Sequence, residues 1–300
     1  MDAPPGKEDV TPFLNVRQWL ETAGVRVPHL VAEDISQGFL LLEDFGDVTW
    51  AVYMSKHGDP SALLEDAIRQ LGLLQSHSPD VDLAVFDVPR MQSECDLYLG
   101  WYLPHVAAYK PAEDECRIFH ADLAPLLAEI AALPYVPVHL DYHSRNLMVP
   151  EDGLPLGVID FQDAVTGPVT YDLASLLYDC YQDYPEAMRR AWSLRYFEGL
   201  PCDLRTFFPD FENWHRALRL TSLQRHIKAI GIFARLAYRD GKRQFLEEIP
   251  LTRKHVRETM QALGLQPEQY PLLLGPVHTN SDRSAAVPNK ASQGARREVW

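Results

Sequence analysis

Two neighbouring segments, residues 139–149 and 157–163, constrain this chain more than any other part of its sequence. Each segment contains a short apolar run, and its polar residues are concentrated in a turn next to that run. A further turn with a glycine separates the two apolar runs. Turn residues that separate two apolar runs are typical of a β-hairpin. The pattern therefore predicts a small buried hairpin with Asp141, Asn146 and Asp160 gathered at one end.

Three oxygen-bearing side chains at one hairpin end suit a hard cation. Mg²⁺ is held by one or two carboxylates, keeps several waters and takes phosphate oxygens as further ligands. The plainer interpretation is a surface hairpin with solvated acids, but three spaced elements in this order, each at a strand end, argue against it. A second alternative is a zinc hydrolase that uses His139, Asp141, His143 and Asp160. The familiar His-x-His-x-Asp-His cluster of such enzymes is not present.

The spacing His-x-Asp-x4-Asn in residues 139–146 resembles the catalytic loop of the protein-kinase-like fold. The resemblance implies that Asp141 orients and deprotonates the substrate hydroxyl, while His139 braces the loop. It also implies that Asn146 and Asp160 hold metal on the nucleotide phosphates. Residues 159–163 read Ile-Asp-Phe-Gln-Asp where protein kinases have Asp-Phe-Gly. In this replacement the chain resembles the small-molecule kinases, namely aminoglycoside phosphotransferases and choline kinases.

Composition excludes several other classes of protein. The 300 residues are 46% hydrophobic and carry a net charge of -14, so a nucleic-acid backbone is not an expected partner. Four scattered cysteines without a Cys-x-x-Cys pair indicate reduced thiols and a cytoplasmic protein. No signal-peptide pattern opens the chain, and no uncharged stretch is long enough for a bilayer, so no membrane contact is expected.

Hydrophobic periodicity organises the rest of the chain. Two apolar runs, 27–32 and 38–42, predict a β-hairpin with a longer loop. Apolar residues at helical spacing predict helices over 10–23, 59–75, 119–133, 211–240 and 252–263, the fourth with possible breaks. Thr11 is the expected N-cap of the first helix. Asp172 either begins a further helix or bonds back to the catalytic loop and braces it.

The segment after the early hairpin is the expected nucleotide contact. In a kinase-like fold Glu43, Asp44 and Phe45 form the hinge between two lobes, where adenine bonds to backbone groups. The alternative is a strand end followed by a glycine turn, and the local sequence does not separate the two.

Four residues are candidate substrate contacts. Trp101 belongs to an aromatic-rich stretch whose ordinary role is core packing, and stacking on a sugar is the alternative. Arg225 and His226 belong to the basic residues of 211–240, which usually form a solvated face. Their alternative partner is a phosphate or an acidic sugar substituent. Asp163 is a candidate support for the metal and substrate site.

A wider resemblance joins these motifs. The stretches that carry it are 1–5, 38–44, 101–103, 139–146, 159–172, 223–228 and 239–242. They resemble one subgroup of the aminoglycoside-phosphotransferase-like enzymes, the bacterial anomeric sugar kinases of cell-wall recycling, over roughly residues 1 to 270. The resemblance implies phosphorylation of N-acetylmuramate or N-acetylglucosamine at the 1-hydroxyl, with ATP and Mg²⁺.

The resemblance also implies an α+β, protein-kinase-like fold with two lobes. Residues 1–46 are expected to form a truncated nucleotide lobe and hinge, 47–275 a mostly helical catalytic lobe, and 276–300 a disordered tail. Residues 1–5 look like the exit from a strand. No Gly-x-Gly-x-x-Gly loop occurs in the sequence. The resemblance implies a lysine on the third strand that pairs with the nucleotide phosphates, but no lysine precedes Lys7. Either the chain begins at an internal methionine or its subgroup lacks that lysine. Aminoglycoside or choline kinases, and a catalytically impaired nucleotide- or sugar-binding protein, remain alternatives.

Overall fold

The computed structural model describes residues 1–3, 9–56, 59–151, 153 and 155–273. Lys7 and the predicted tail at 276–300 lie outside the described residues. Within those ranges, α-helices dominate and the strands are short, as expected for the α+β class.

The helices are α1 (Thr11–Thr22), α2 (Trp50–Met54), α3 (Ser61–Ser76), α4 (Val88–Leu97), α5 (Leu103–His105), α6 (Glu113–Ala131), α7 (Tyr171–Leu177), α8 (Glu186–Glu198), α9 (Cys202–Arg205), α10 (Phe211–Tyr238) and α11 (Ile249–Leu263). A π-helical segment, Tyr98–Tyr102, joins α4 to α5, and 3-10 turns occur at Arg243–Glu248 and Pro267–Gln269. The strands are β1 (Leu30–Asp34), β2 (Phe39–Leu42), β3 (Ala84–Val85), β4 (Tyr135–Val138), β5 (Leu147–Met148), β6 (Gly157–Val158) and β7 (Val165–Pro168).

The predicted early hairpin is confirmed as the antiparallel pair β1–β2. The first residues of the chain pair with β2, because the Met1 ammonium donates to the Leu40 carbonyl at 2.9 Å and the Leu40 N–H donates back at 3.1 Å. Residues 1–3 are the described part of the stretch expected to leave a strand, and Asp2 forms an isolated bridge with Phe39. Helix α1 begins as predicted, but Thr11 is not its N-cap. Val10 takes that position, and the Asp9 carboxylate accepts from the Thr11 N–H at 2.9 Å.

Two small sheets position the predicted catalytic segments. Strand β7 lies between β3, which is parallel to it, and β4, which is antiparallel, while β5 and β6 form the predicted hairpin. Residues 139–146 connect β4 to β5, and residues 159–164 connect β6 to β7. Val138 pairs with Val165, and Leu147 pairs with Val158. The start of each connection therefore lies opposite the end of the other, and the strand register brings the two connections together.

Helix α10 is the central element of the helical part. It runs without a break for 28 residues, so the expectation of possible breaks is wrong. It packs against α4, the π segment, α7 and α11. Gly231 allows a close approach to the junction of α4 and the π segment, because a Cβ at that position would lie 2.4 Å from the Leu97 carbonyl carbon. None of the helices in the described ranges combines the length and apolar character needed to cross a bilayer.

Candidate active site

A buried carboxylate determines the shape of the loop at 139–146. One oxygen of Asp172 accepts from the His139 N–H at 2.7 Å and the other from the Leu140 N–H at 3.1 Å. Leu140 adopts a left-handed conformation, with φ of 76°, which the surrounding contacts must hold in place. Burial raises the pKa of Asp172 to about 7, although both N–H groups and the charge of Arg225 oppose that rise. The sequence-based interpretation of Asp172 as a brace, rather than only a helix start, agrees with these bonds.

His139 joins the two connecting loops. Its Nε2 donates to the Ile159 carbonyl at 3.0 Å, and its Nδ1 accepts from the Asp141 N–H at 3.3 Å. A carbonyl only accepts and a backbone N–H only donates, so the two bonds define one neutral tautomer. Burial lowers the pKa of this imidazole and keeps it neutral. Because both ring nitrogens are engaged, His139 is suited to bracing and not to the zinc ligation of the hydrolase alternative.

The structure brings Asp141, Asn146 and Asp160 together at one end of the hairpin. The Asn146 Nδ2 donates to the Asp141 carbonyl at 3.0 Å and to Asp160 Oδ2 at 3.2 Å. Asp160 is exposed, has φ of 64°, and its other oxygen accepts from Gln162 Nε2 at 2.9 Å. The carboxylate is thus held by amides from both sides.

This donor set fits a magnesium ion bound jointly with phosphate. With the Asn146 Nδ2 engaged in both bonds, its Oδ1 is the atom left for ligation beside the Asp160 carboxylate. Within the described part of the chain, no three His, Cys, Asp or Glu side chains cluster as a metal site. One carboxylate and one amide, completed by water and phosphate oxygens, are what Mg²⁺ accepts.

Asp141 lies within electrostatic range of the cationic side chains of Lys228 and Arg225. Burial raises the pKa of its carboxyl group, but Lys228, His143 and Arg225 outweigh burial and leave that pKa below its usual value. The carboxylate is therefore ionised at neutral pH and able to accept a hydrogen bond from a hydroxyl group.

A second buried acid, Asp179, fixes the far side of the loop. Its Oδ2 accepts from the Ser144 N–H and its Oδ1 from the Tyr181 N–H, both at 2.9 Å. Sequence reasoning missed this residue. The available signal was a carboxylate two residues after Leu177, the last residue of the apolar helix α7, which is an unusual position for an unpartnered acid.

The expected hinge residues directly follow β2 in the chain and lie against the β5–β6 hairpin. The Glu43 N–H donates to the His29 carbonyl at 2.8 Å, and its carboxylate lies 3.4 Å from Arg26 Nη2. Asp44 Oδ1 accepts from the N–H two residues later at 2.8 Å. The Phe45 ring covers Gly157, where a Cβ would lie 2.3 Å from the ring. The hinge segment thus contacts the strand that leads to Asp160.

The four candidate substrate contacts are placed differently. Arg225 is buried near Asp141, and its guanidinium lies 5.3 Å from the Tyr171 ring. His226 lies in the helical core, where its Nε2 donates to the Tyr178 carbonyl at 2.8 Å.

The other two are not held against the loop by any described contact. Trp101 stacks on His105 at 5.4 Å, and His105 in turn stacks on Tyr238 at 5.0 Å. Asp163 is exposed, three residues beyond Asp160.

Comparisons with known proteins give one consistent picture. Residues 1–237 match the phosphotransferase enzyme family, APH. An N-acetylmuramate/N-acetylglucosamine kinase of Pseudomonas aeruginosa is 38% identical over 275 residues, which cover 89% of this chain and 78% of the relative. The kinase of the same name from Neisseria meningitidis is 35% identical over 282 residues, or 91% and 82% of the two chains.

Solved structures show the same fold at lower identity. The gentamicin complex of APH(2")-IIa matches with a TM-score of 0.55 and 20% identity over 88% of this chain and 85% of that one. The ADP-bound aminoglycoside phosphotransferase APH(2'')-Ib matches with a TM-score of 0.54 and 18% identity, covering 87% and 83% of the two chains.

Proposed function

Because the chain belongs to the phosphotransferase enzyme family, we propose that it transfers the terminal phosphoryl group of ATP to the anomeric hydroxyl of N-acetylmuramate or N-acetylglucosamine. The convergence of Asp141, Asn146 and Asp160 at one hairpin end is the observation that carries the proposal. The acceptor is taken from the names of the relatives, and the nucleotide from fold neighbours such as ADP-bound APH(2'')-Ib.

In this proposal the loops act mainly by positioning. The ionised Asp141 accepts a hydrogen bond from the reacting sugar hydroxyl, aims its oxygen at the phosphorus and takes the proton as the new bond forms. His139 and Asp172 hold the loop backbone, so the carboxylate needs no rearrangement at the moment of transfer. Mg²⁺, when bound by Asn146 and Asp160, would neutralise charge on the nucleotide phosphates.

The proposal assigns residues 1–46 to the nucleotide side and residues 47–275 to the catalytic and acceptor side. ATP then lies between the Glu43–Phe45 segment and the hairpin end, which the contact of Phe45 with Gly157 already links. An ATP-dependent reaction and four unpaired cysteines both suit the cytoplasm.

An acceptor panel tests the function. The purified protein is incubated with ATP and Mg²⁺ and with N-acetylglucosamine, N-acetylmuramate, kanamycin or choline, and ADP release is measured. We expect release with the two N-acetyl sugars, and a product with phosphorus on the anomeric oxygen by ³¹P NMR. Turnover confined to kanamycin or choline would reject the acceptor class. Calorimetric binding of sugar and nucleotide without ADP release would favour the binding-protein alternative.

A further inference from the structure

A groove opens beside the catalytic loop. Its volume is about 740 Å³, which lies within the size range of small-molecule sites. Helix α2 lines it through Ala51 and Val52, and Tyr181 and Glu248 line it from later in the chain. Arg145 of the catalytic loop lines it as well. Among the described lining residues, Arg145 and Glu248 are the charged ones, so a ligand in the groove meets one cation and one anion.

Backbone contacts join this groove to the candidate active site. The Ala51 N–H donates to the Ser144 carbonyl at 3.0 Å, so α2 lies directly on the loop. Arg145 is followed by Asn146, whose Nδ2 lies 3.0 Å from the Asp141 carbonyl. Consecutive Cα atoms are about 3.8 Å apart, so the groove begins one residue from the amide assigned to Mg²⁺. An acceptor with its hydroxyl at Asp141 can therefore extend past Arg145 into the groove.

The guanidinium of Arg145 is held in place but keeps free donors. It lies 3.7 Å from the centroid of the Tyr181 ring, and its Nη2 pairs with Glu248. Tyr181 is fixed in turn, because its N–H donates to Asp179, the acid that also holds the loop at Ser144. The Arg145 side chain is 38% exposed, and within the described ranges Nη2 is its one nitrogen with a hydrogen bond to protein. A guanidinium has a planar fork of N–H donors, so donors remain for an anion in the groove.

We propose that Arg145 receives the lactyl carboxylate of N-acetylmuramate and so favours this acceptor over N-acetylglucosamine. The inference rests on the proposed function and specifies its acceptor. The two sugars share the anomeric hydroxyl and the acetamido group beside it, and N-acetylmuramate adds a lactyl ether on the next ring carbon. This arm carries the one charge that distinguishes the acceptors. A carboxylate and a guanidinium form charge-assisted, bidentate hydrogen bonds, which gives the arm a matched partner.

Two other side chains bear on this assignment. Arg225, the sequence-based candidate for an acidic sugar substituent, does not line the groove. Glu248 holds Arg145 but repels a second carboxylate, so it opposes binding of the lactyl arm. A purely structural role, in which Arg145 ties the loop to the turn at 243–248, is the alternative. That role predicts equal effects on both sugars, whereas recognition of the arm predicts an effect on one.

Two substitutions and a matched control test the inference in the full chain. For Arg145→Gln we expect the KM for N-acetylmuramate to rise about ten- to hundredfold relative to that for N-acetylglucosamine, as for loss of hydrogen bonds to a charged group. For Glu248→Gln the same ratio should fall about two- to fivefold, because a competing charge is removed. Arg195→Gln removes an exposed arginine paired with Glu65 and should leave the ratio unchanged.

The contrary outcomes are specific. Equal rises in KM for both sugars, together with a lowered Tm, would indicate the structural role and overturn the inference. A rise in the KM for ATP without a change in the ratio would assign Arg145 to the nucleotide and overturn it as well.

The methyl ester of N-acetylmuramate gives a second measurement, made on the unaltered protein. The ester keeps the length of the arm and removes its charge, so we expect kcat/KM to fall about tenfold or more relative to the free acid. In Arg145→Gln this difference should disappear, because the partner group is already absent. Equal turnover of acid and ester by the unaltered protein overturns the inference, while turnover of N-acetylglucosamine still supports the proposed function. If neither sugar is phosphorylated, the proposed function and the inference fail together.

Discussion

At the scale of single residues, two carboxylates serve the same loop in opposite ways: Asp141 lies on it, and Asp172 of α7 binds its backbone. Asp141 carries no structural hydrogen bond through its side chain among those described, whereas both oxygens of Asp172 hold backbone N–H groups. Substitution by asparagine therefore separates the chemical role from the architectural one.

For Asp141→Asn we expect kcat to fall by about 10²- to 10⁴-fold, because the amide cannot take the proton of the sugar hydroxyl. The Tm and the calorimetric affinity for ATP with Mg²⁺ should stay close to those of the unaltered protein. Asp203→Asn, at an exposed position in α9, is the matched control. Retained turnover would remove Asp141 from the role of base.

For Asp172→Asn we expect lower stability as well as lower kcat. The new NH₂ group must face the N–H of His139 or Leu140, which leaves buried donors unpaired at a cost of about 1–3 kcal/mol. Urea unfolding monitored by circular dichroism measures this loss. An unchanged midpoint would mean that the loop holds its shape without the Asp172 carboxylate.

At the scale of elements, the close contact of α10 with the π segment depends on a glycine. In Gly231→Ala the new Cβ would lie 2.4 Å from the Leu97 carbonyl carbon and 2.5 Å from the Tyr98 nitrogen. These are backbone atoms, so relief requires a shift of the whole helix. We expect a loss of about 1–3 kcal/mol in the free energy of unfolding.

Gly72 in α3 offers the matched control for that substitution. A Cβ at Gly72 meets nothing within 4 Å, so Gly72→Ala should stabilise by up to about 1 kcal/mol through helix propensity alone. Parallel urea titrations of both variants give the comparison. The same sign of change in both variants would contradict the close-approach argument.

The sequence predicted those elements whose determinants are local. The hairpin end with Asp141, Asn146 and Asp160 was predictable because turn residues and apolar runs alternate within about 20 residues. The unbroken course of α10 was not predictable, because buried residues occur on most of the helix surface and hide the helical period in the sequence. The pair Arg145–Glu248 was not predictable as a contact either. It joins residues far apart in the chain, which periodicity along one element does not reveal.

At the scale of the whole molecule, burial of neutral histidines links stability to pH. Burial lowers the pKa of His139, His143, His226 and His255, the last to about 4. In the unfolded chain these groups titrate near 6.5, so below that pH the unfolded state binds more protons than the native state. Stability must then fall as the pH falls from 6.5. Asp172, with a raised pKa, acts in the opposite direction between its ordinary value and about 7, but it is one group against four.

The variant His255→Gln isolates one of these contributions. His255 Nε2 lies 2.9 Å from Arg189 Nη2 and 3.4 Å from Asp183 Oδ1. Burial and the Arg189 charge outweigh the carboxylate and lower the pKa of His255, so Nε2 accepts from Arg189, and a glutamine oxygen can accept in its place. At about 1.4 kcal/mol per pKa unit, His255 alone lowers the free energy of unfolding by up to roughly 3 kcal/mol as the pH falls from 6.5 to 4. Urea midpoints across this window should therefore fall less steeply in His255→Gln, while His77→Gln, at an exposed position, should follow the unaltered protein. Parallel curves for all three proteins would mean that His255 is protonated in the native state.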